Sequence, residues 1–587
     1  MNRREFIELL MQGAVASGIA GYGLSAAAAG KSFYDFAPSG SARLLHMTDT
    51  HAQLLPIHFR EPNVNMGIGA AKGRVPHLVG KNLLAAIGDT SPQMSHALTY
   101  LDFTEASEKY GRVGGFAHLS TLVKKMRGEV ADGSSLLLDG GDTWQGSGTA
   151  LWTRGRDMVG ATNKLGVDVM TGHWEFTYLE KEILANAAEF TGEFVSQNTL
   201  ATEEALFDGV PVYDEDTGHV FKPYTMKVLN GRRVAVVGQA FPYTPIANPK
   251  RFIPNWTFGI REAELSELVA NIRANESPDA VVLLSHNGMD VDIKLASRVS
   301  GIDFILGGHT HDGVPIPVEV RNPGGKTVVT NAGSNGKFLG VLDISFGKLG
   351  VSGYRYRLLP VYSNLLPADK DMQSYIDGVR APYKKQLDEE LAVADSLLYR
   401  RGNFNGPFDQ LICDGMREVL DAEIALSPGF RWGTSVLPGE AITMDRLLDQ
   451  TCMTYPETYV RDMKGGELKT ILESVADNLF NPDPYYQQGG DMVRTGGLNY
   501  LCDPLASMGS RITGLTLANG KPVNASKSYR VSGWATVGAQ SPGAPVWDVV
   551  AEYLRDQKTY TMKKLESPVL KGMESNPGIS DYAPGFS

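Results

Sequence analysis

Arg43-Leu44-Leu45-His46-Met47-Thr48-Asp49-Thr50-His51 decides the fold: an apolar run of strand character leads directly into a carboxylate and an imidazole two residues apart. If the chain kinks where the strand ends, both groups reach one cation. Taken alone, Asp-x-His carries little weight, because most such triplets are surface loops. Here the arrangement recurs. Ser135 to Leu138 precedes Asp139-Gly140-Gly141-Asp142, and Val167 to Thr171 precedes Gly172-His173-Trp174-Glu175. Gln197-Asn198 follows further on. Ala280 to Leu284 leads into Ser285-His286-Asn287, and Asp303 to Leu306 into Gly307-Gly308-His309-Thr310-His311. Carboxylates, imidazoles and amides at the ends of successive apolar runs are what a two-metal hydrolytic site requires.

Helical patterns separate these runs, as at Gly115 to Met126, Tyr178 to Ala187 and Arg261 to Ala274. Such alternation predicts a layered α/β domain, and open α/β sheets place their sites at strand ends. That domain is expected over residues 42–365. The stretch from Gln53 to Tyr110 is rich in Gly, Pro and Asn and reads as loops over the site. A charged, helix-like linker is expected over 366–394, and a second mixed α/β domain over 395–587. At 587 residues the chain exceeds what one core can organise.

Composition excludes several classes. Hydrophobic residues make up 42% and charged ones 21%, an ordinary globular balance. The net charge of −11, with no basic stripe, argues against a nucleic-acid partner. The three cysteines, Cys413, Cys452 and Cys502, allow one disulfide at most, so no disulfide framework holds the fold. Asn2-Arg3-Arg4-Glu5-Phe6-Ile7, a weakly apolar Ala/Gly stretch and Ser25-Ala26-Ala27-Ala28-Ala29 together predict a twin-arginine (Tat) signal over residues 1–29. The expected product is a soluble periplasmic monomer, exported folded and without a membrane span.

The ligand segments resemble those of calcineurin-like metallophosphoesterases, in particular the periplasmic 5′-nucleotidase family. That resemblance implies a four-layer metallophosphoesterase-type β-sandwich flanked by helices, followed by a smaller α/β domain of 5′-nucleotidase type. By position, one metal would take Asp49, His51, Asp142 and His311, and the second Asp142, His173, His286 and His309. Where that family has Asn then His, this chain has His173-Trp174. An imidazole replaces an amide as a ligand, but an indole takes no part in proton transfer at neutral pH. Thr177 likewise stands where the family's histidine-orienting Asp falls. Ser427-Pro428-Gly429-Phe430-Arg431-Trp432-Gly433 aligns Arg431 with a substrate-binding arginine, whose planar fork suits an oxyanion. Arg494, in a glycine-rich loop, is a weaker candidate for the same task. Asn198 is a candidate transition-state donor, a group supporting the ligands from behind, or a strand-end amide that caps a turn, and Glu175 either orients His173 or is structural.

These departures are similar to the thiosulfohydrolase family of bacterial sulfur oxidation. The match lies in His46-Met47-Thr48-Asp49-Thr50-His51-Ala52-Gln53-Leu54, Asp139-Gly140-Gly141-Asp142-Thr143-Trp144-Gln145-Gly146 and Thr171-Gly172-His173-Trp174-Glu175-Phe176. It implies a di-manganese enzyme that cleaves sulfate from a cysteine S-thiosulfonate on the C-terminal arm of the SoxYZ carrier. In that reading a hydroxide held by two cations attacks the terminal sulfonate, and a persulfide leaves without protonation. The catalytic candidates are Asp142, Trp174, Asn198 and Arg431. Carboxylate–imidazole sites also accept Zn or Fe. The competing reading is a periplasmic 5′-nucleotidase or cyclic-nucleotide phosphodiesterase.

Overall fold

Successive strand side chains point to opposite faces of a sheet, and in this protein both faces are apolar. In Arg232–Gln239, Val234 and Val236 enter one core while Ala235 and Val237 enter another. The structure is a computed structural model that describes residues 34–579 except 89 and 539. The expected export signal lies outside the described residues. Among them, no helix is long and apolar enough to cross a membrane.

Twelve strands build two six-stranded sheets. They are β1 (Ala42–Met47), β2 (Ser135–Asp139), β3 (Val169–Met170), β4 (Glu193–Phe194), β5 (Tyr224–Leu229) and β6 (Arg232–Gln239). β7 (Ala280–Ser285), β8 (Phe304–Gly307), β9 (Val318–Asn322), β10 (Gly325–Asn331), β11 (Phe338–Gly347) and β12 (Gly350–Pro360) follow. The first sheet runs β12-β11-β1-β2-β3-β4, with β1 to β4 parallel. The second runs β9-β10-β8-β7-β6-β5, with β6, β7, β8 and β10 parallel. Leu44, Leu136 and Leu138 of the first sheet share one core with Val236, Val282, Leu284 and Leu306 of the second. The outer faces are covered by helices: Phe116–Gly128 and Arg156–Leu165 on the first sheet, Glu262–Asn275 and Met289–Arg298 on the second. This is the expected four-layer sandwich. The carboxyl ends of the parallel strands in both sheets carry the ligand segments.

Beyond residue 390 the sheets are smaller. Thr458–Lys464, Ser528–Trp534, Ile424–Ser427 and Arg494–Gly496 make one of four strands. Helix Pro407–Val419 packs against it, and Cys413, Cys452 and Cys502 are buried free thiols.

Two segments differ from their expected form. Residues 366–394 are not one linker helix. Lys370–Arg380 is helical and seats Met372 and Ile376 in the first sheet's outer core, whereas Glu390–Ala394 is a strand paired with Ala441–Thr443. The stretch is charged, but the apolar residues on one helix face are what dock it. The stretch from Gln53 to Tyr110 is likewise more than loops. It forms helices at Gly80–Ile87, Pro92–Leu98 and Phe103–Tyr110, and its Ile57, Phe59, Leu83 and Leu98 are core residues. Frequent Gly and Pro broke the periodicity by which those helices would have been recognised.

This insert is clipped to the second sheet by polar contacts. Asn65 Nδ2 donates to Asp312 Oδ1 at 3.1 Å, and His77 Nε2 lies 2.9 Å from Asp290 Oδ2. Burial disfavours charge on His77, but Asp290 and then Asp312 outweigh it and raise the imidazole to about 8. The folded value exceeds the ordinary 6.5, so this stabilisation is complete below pH 6.5 and is lost as pH rises through about 8. Comparing thermal unfolding of wild type and His77→Gln across pH 6 to 9 should show the wild-type advantage shrinking by about 2 kcal/mol.

Candidate metal centre

Seven side chains from these strand ends form two buried groups that share one carboxylate. Asp49, His51, Asp142 and His311 make one, and Asp142, His173, His286 and His309 the other. Within each group the donor atoms lie within 4.8 Å of one another. Asp142 Oδ2 is 3.0 Å from His286 Nε2, 3.3 Å from His173 Nδ1 and 3.7 Å from His51 Nε2. Asp49 Oδ1 is 3.2 Å from His311 Nε2 and 3.6 Å from His286 Nε2.

The backbone is forced to bring them together. Asp49, His51, Asp142, His309 and His311 all have positive φ, between 46° and 73°, a region that non-glycine residues rarely occupy. Two glycines make the close approach possible. A Cβ on Gly308 would stand 2.9 Å from His286 Nδ1 and 3.0 Å from Asp49 Oδ2, and one on Gly140 2.5 Å from Thr48 Oγ1.

The donors fit a pair of divalent cations. His286 Nδ1 is 2.6 Å from Gly140 O, so a neutral ring turns its Nε2 lone pair toward Asp142 and Asp49. That geometry favours a cation between them, and the backbone carbonyl fixes the tautomer. His286 Nε2, the atom that faces both carboxylates, is buried without a hydrogen-bond partner. Burial lowers His51 to about 3 and holds His309 and His311 well below their usual range, leaving them neutral as metal binding requires. Burial also opposes charge on His286, but Asp142 and Asp49 raise it to about 10. The centre of the cluster thus draws positive charge.

Glu175 does more than orient one histidine. Its carboxylate accepts the backbone N–H groups of His173 (2.8 Å), Asp142 (3.1 Å), Thr143 (2.7 Å) and Trp144 (3.1 Å). It therefore ties two ligand loops together. Glu175→Gln turns an amide N–H₂ toward these donors, and a fall of roughly 10–100-fold in metal affinity is expected, measured by competition with a chelator. Asp139 plays the parallel part within one loop, accepting from Gly141 N at 3.0 Å and Thr143 Oγ1 at 2.9 Å.

The remaining candidates separate. Trp174 donates its backbone N–H to Asp142 Oδ1 at 2.7 Å, and its indole lies 5.0 Å from the His173 ring. Arg431 reaches the cluster from the C-terminal half: Nη1 is 3.4 Å from His309 Nε2, and Nη2 donates to Gly490 O at 2.9 Å. Asn198 does not join them. Its Nδ2 donates to Ala240 O and Gly259 O, and its Oδ1 accepts from Ala240 N and Ser196 Oγ. With every valence used, it holds strand ends and has no donor left for a transition state. Arg494 is wholly buried and bonds Gly402 O, near Asp409 and Asp491. Thr177 shares a 2.6 Å hydrogen bond with Thr454.

Several residues at the site escaped the reading of strand ends. Phe241 packs 4.0 Å from the His173 ring and 4.1 Å from that of His309. Trp432 stacks on His51 at 5.0 Å. Its place beside Arg431 was the one available signal.

This fold and cluster define a class, the two-domain hydrolases of the metallophosphoesterase and 5′-nucleotidase superfamily. The family model "5′-nucleotidase, C-terminal domain" matches residues 392–548. Among curated proteins, bovine 5′-nucleotidase is 25% identical over 71% of this chain and 76% of its own length. The trifunctional nucleotide phosphoesterase YfkN of Bacillus subtilis is 27% identical over 76% of this chain, which spans only 32% of that longer protein. A 5′-nucleotidase precursor from Thermus thermophilus shares the fold, with a TM-score of 0.70, 22% identity and coverage of 90% and 99% of the two chains. The sulfate thiohydrolase SoxB, also from Thermus thermophilus, superposes with a TM-score of 0.84 and 35% identity, over 92% of this chain and 98% of that one. The chain belongs to the SoxB family.

Proposed function

We propose that the protein is a periplasmic thiosulfohydrolase that removes sulfate from a cysteine S-thiosulfonate on the SoxYZ carrier. The observation that carries this reading is the indole of Trp174 set against His173, beside two candidate metal groups that share Asp142. When bound, two divalent cations, manganese by family likeness, supply a nucleophile from water at neutral pH and neutralise oxygen charge. Asp49, His51, Asp142, His173, His286, His309 and His311 would hold them. The Arg431 guanidinium, near His309, is placed to bind sulfonate oxygens as a planar fork.

The overall change is carrier–S–S–SO₃⁻ plus water to carrier–S–S⁻, sulfate and two protons. The water oxygen forms the new S–O bond, the S–S bond breaks, and its electron pair leaves on the sulfane sulfur. A persulfide is a weak base, so its departure needs no proton from the protein. An alkoxide leaving from a phosphate ester does need one, and an indole does not provide it at neutral pH.

The second reading, a 5′-nucleotidase or cyclic-nucleotide phosphodiesterase, has the curated relatives in its favour. Sulfate release from thiosulfonate-loaded carrier by the manganese-loaded protein tests the proposal. Hydrolysis of nucleoside monophosphates without sulfate release would overturn it. The expected Tat signal agrees with a folded, metal-loaded enzyme in the periplasm.

A further inference from the structure

Trp174, Phe430 and Trp432 form a corner of three aromatic rings against the cage. The two indoles meet at 5.1 Å and 79°, Phe430 stacks on Trp432 at 4.2 Å, and it meets Trp174 edge-on at 5.7 Å. One indole lies on each metal group: Trp174 beside His173 and Trp432 on His51. Trp432 is 2% exposed, and its Nε1–H is buried without a hydrogen-bond partner. A buried indole ordinarily finds an acceptor. Here an unpaired donor stands in an apolar corner next to candidate metal ligands.

We propose that this corner receives the sulfane sulfur of the substrate, with Trp432 as the specificity-determining residue. The inference rests on the thiosulfohydrolase reading above. Sulfur is large and polarisable and packs well against aromatic rings. The Trp432 N–H supplies a hydrogen bond to the charge that develops on that sulfur as the S–S bond breaks, without giving up its proton. The low-dielectric surroundings strengthen that single bond. Apolar walls disfavour a strongly hydrated oxygen leaving group, so the same three rings select for sulfur.

Trp432→Phe keeps a six-membered ring on His51 and removes the N–H together with the rest of the pyrrole ring. With thiosulfonate-loaded carrier, kcat is expected to fall roughly 10-fold with KM within about twofold. Metal content is expected to match the wild type, and the thermal midpoint to fall by only a few degrees for the lost ring area. Phe430→Leu, which keeps the indole and its N–H, is expected to lower kcat/KM about fivefold by opening the corner. Unchanged kcat in Trp432→Phe, or a loss accompanied by loss of metal or fold, together with an unaffected Phe430→Leu enzyme, would overturn the proposal while leaving the thiosulfohydrolase reading intact. A wild-type protein that releases no sulfate from the loaded carrier would overturn both.

Discussion

Asp142→Asn is expected to bind at most one metal ion and to lose sulfate release by about 10³-fold. Asp142 is the one residue common to both candidate metal groups, and its Oδ2 faces His286, His173 and His51 at 3.0, 3.3 and 3.7 Å. The second oxygen is occupied by the Trp174 backbone N–H. An asparagine that preserves that hydrogen bond must turn its N–H₂ toward the cage, where a positive end replaces the bridging negative one. Burial opposes ionisation of Asp142, yet His173 and His286 hold it well below the usual carboxylate range. Its charge is therefore present at any working pH. Loss of several kcal/mol of charge stabilisation corresponds to roughly 10²–10³ in rate, before the loss of metal is counted. Metal analysis after desalting and sulfate release from loaded carrier read the two effects. Two ions and full activity in the variant would remove Asp142 from its bridging role.

Trp174→His is expected to lower sulfate release and to raise hydrolysis of alkyl phosphates by about 10²-fold, the lower end of what a positioned acid contributes. An imidazole beside His173 restores a group able to protonate an alkoxide. Leaving-group dependence makes the test specific. Glycerol 2-phosphate, whose alkoxide needs a proton, should gain more than p-nitrophenyl phosphate, whose phenolate does not. The gain should also appear only near neutral pH, where imidazole holds and releases a proton. Intact sulfate release with no gain on either phosphate would remove the support for Trp174 as the residue that separates sulfur from phosphate chemistry.

The metal cage was legible in the linear chain because each ligand segment closes an apolar run. Parallel strands then carry Asp49, Asp142 and His173 to the carboxyl edge of one sheet and His286 and His309 to that of the other, and the core shared by the two sheets sets those edges side by side. His173-Trp174 was legible for the same reason, since it occupies a strand end and breaks its pattern. Asn198 shared that position, where a transition-state donor and a strand-end amide read alike. Its amide faces Ala240 and Gly259, contacts set by a neighbouring strand and loop that no local pattern reveals. Glu175 was half legible: its nearness to His173 showed, but its grip on three residues of the Asp142 loop did not.

The chain by itself determined the alternation of strands and helices, the order of the ligands and the replacement of a protonatable group by an indole, all properties of local spacing and residue chemistry. Only the tertiary structure decided what surrounds the cage. Arg431, Phe430 and Trp432 lie more than 100 residues beyond His311 and reach the site because the C-terminal half packs over it, through Gln53–Asp449, Gln145–Cys452 and Thr177–Thr454 hydrogen bonds. Packing of that kind depends on complementary surfaces formed after folding, and periodicity within either half carries no record of it.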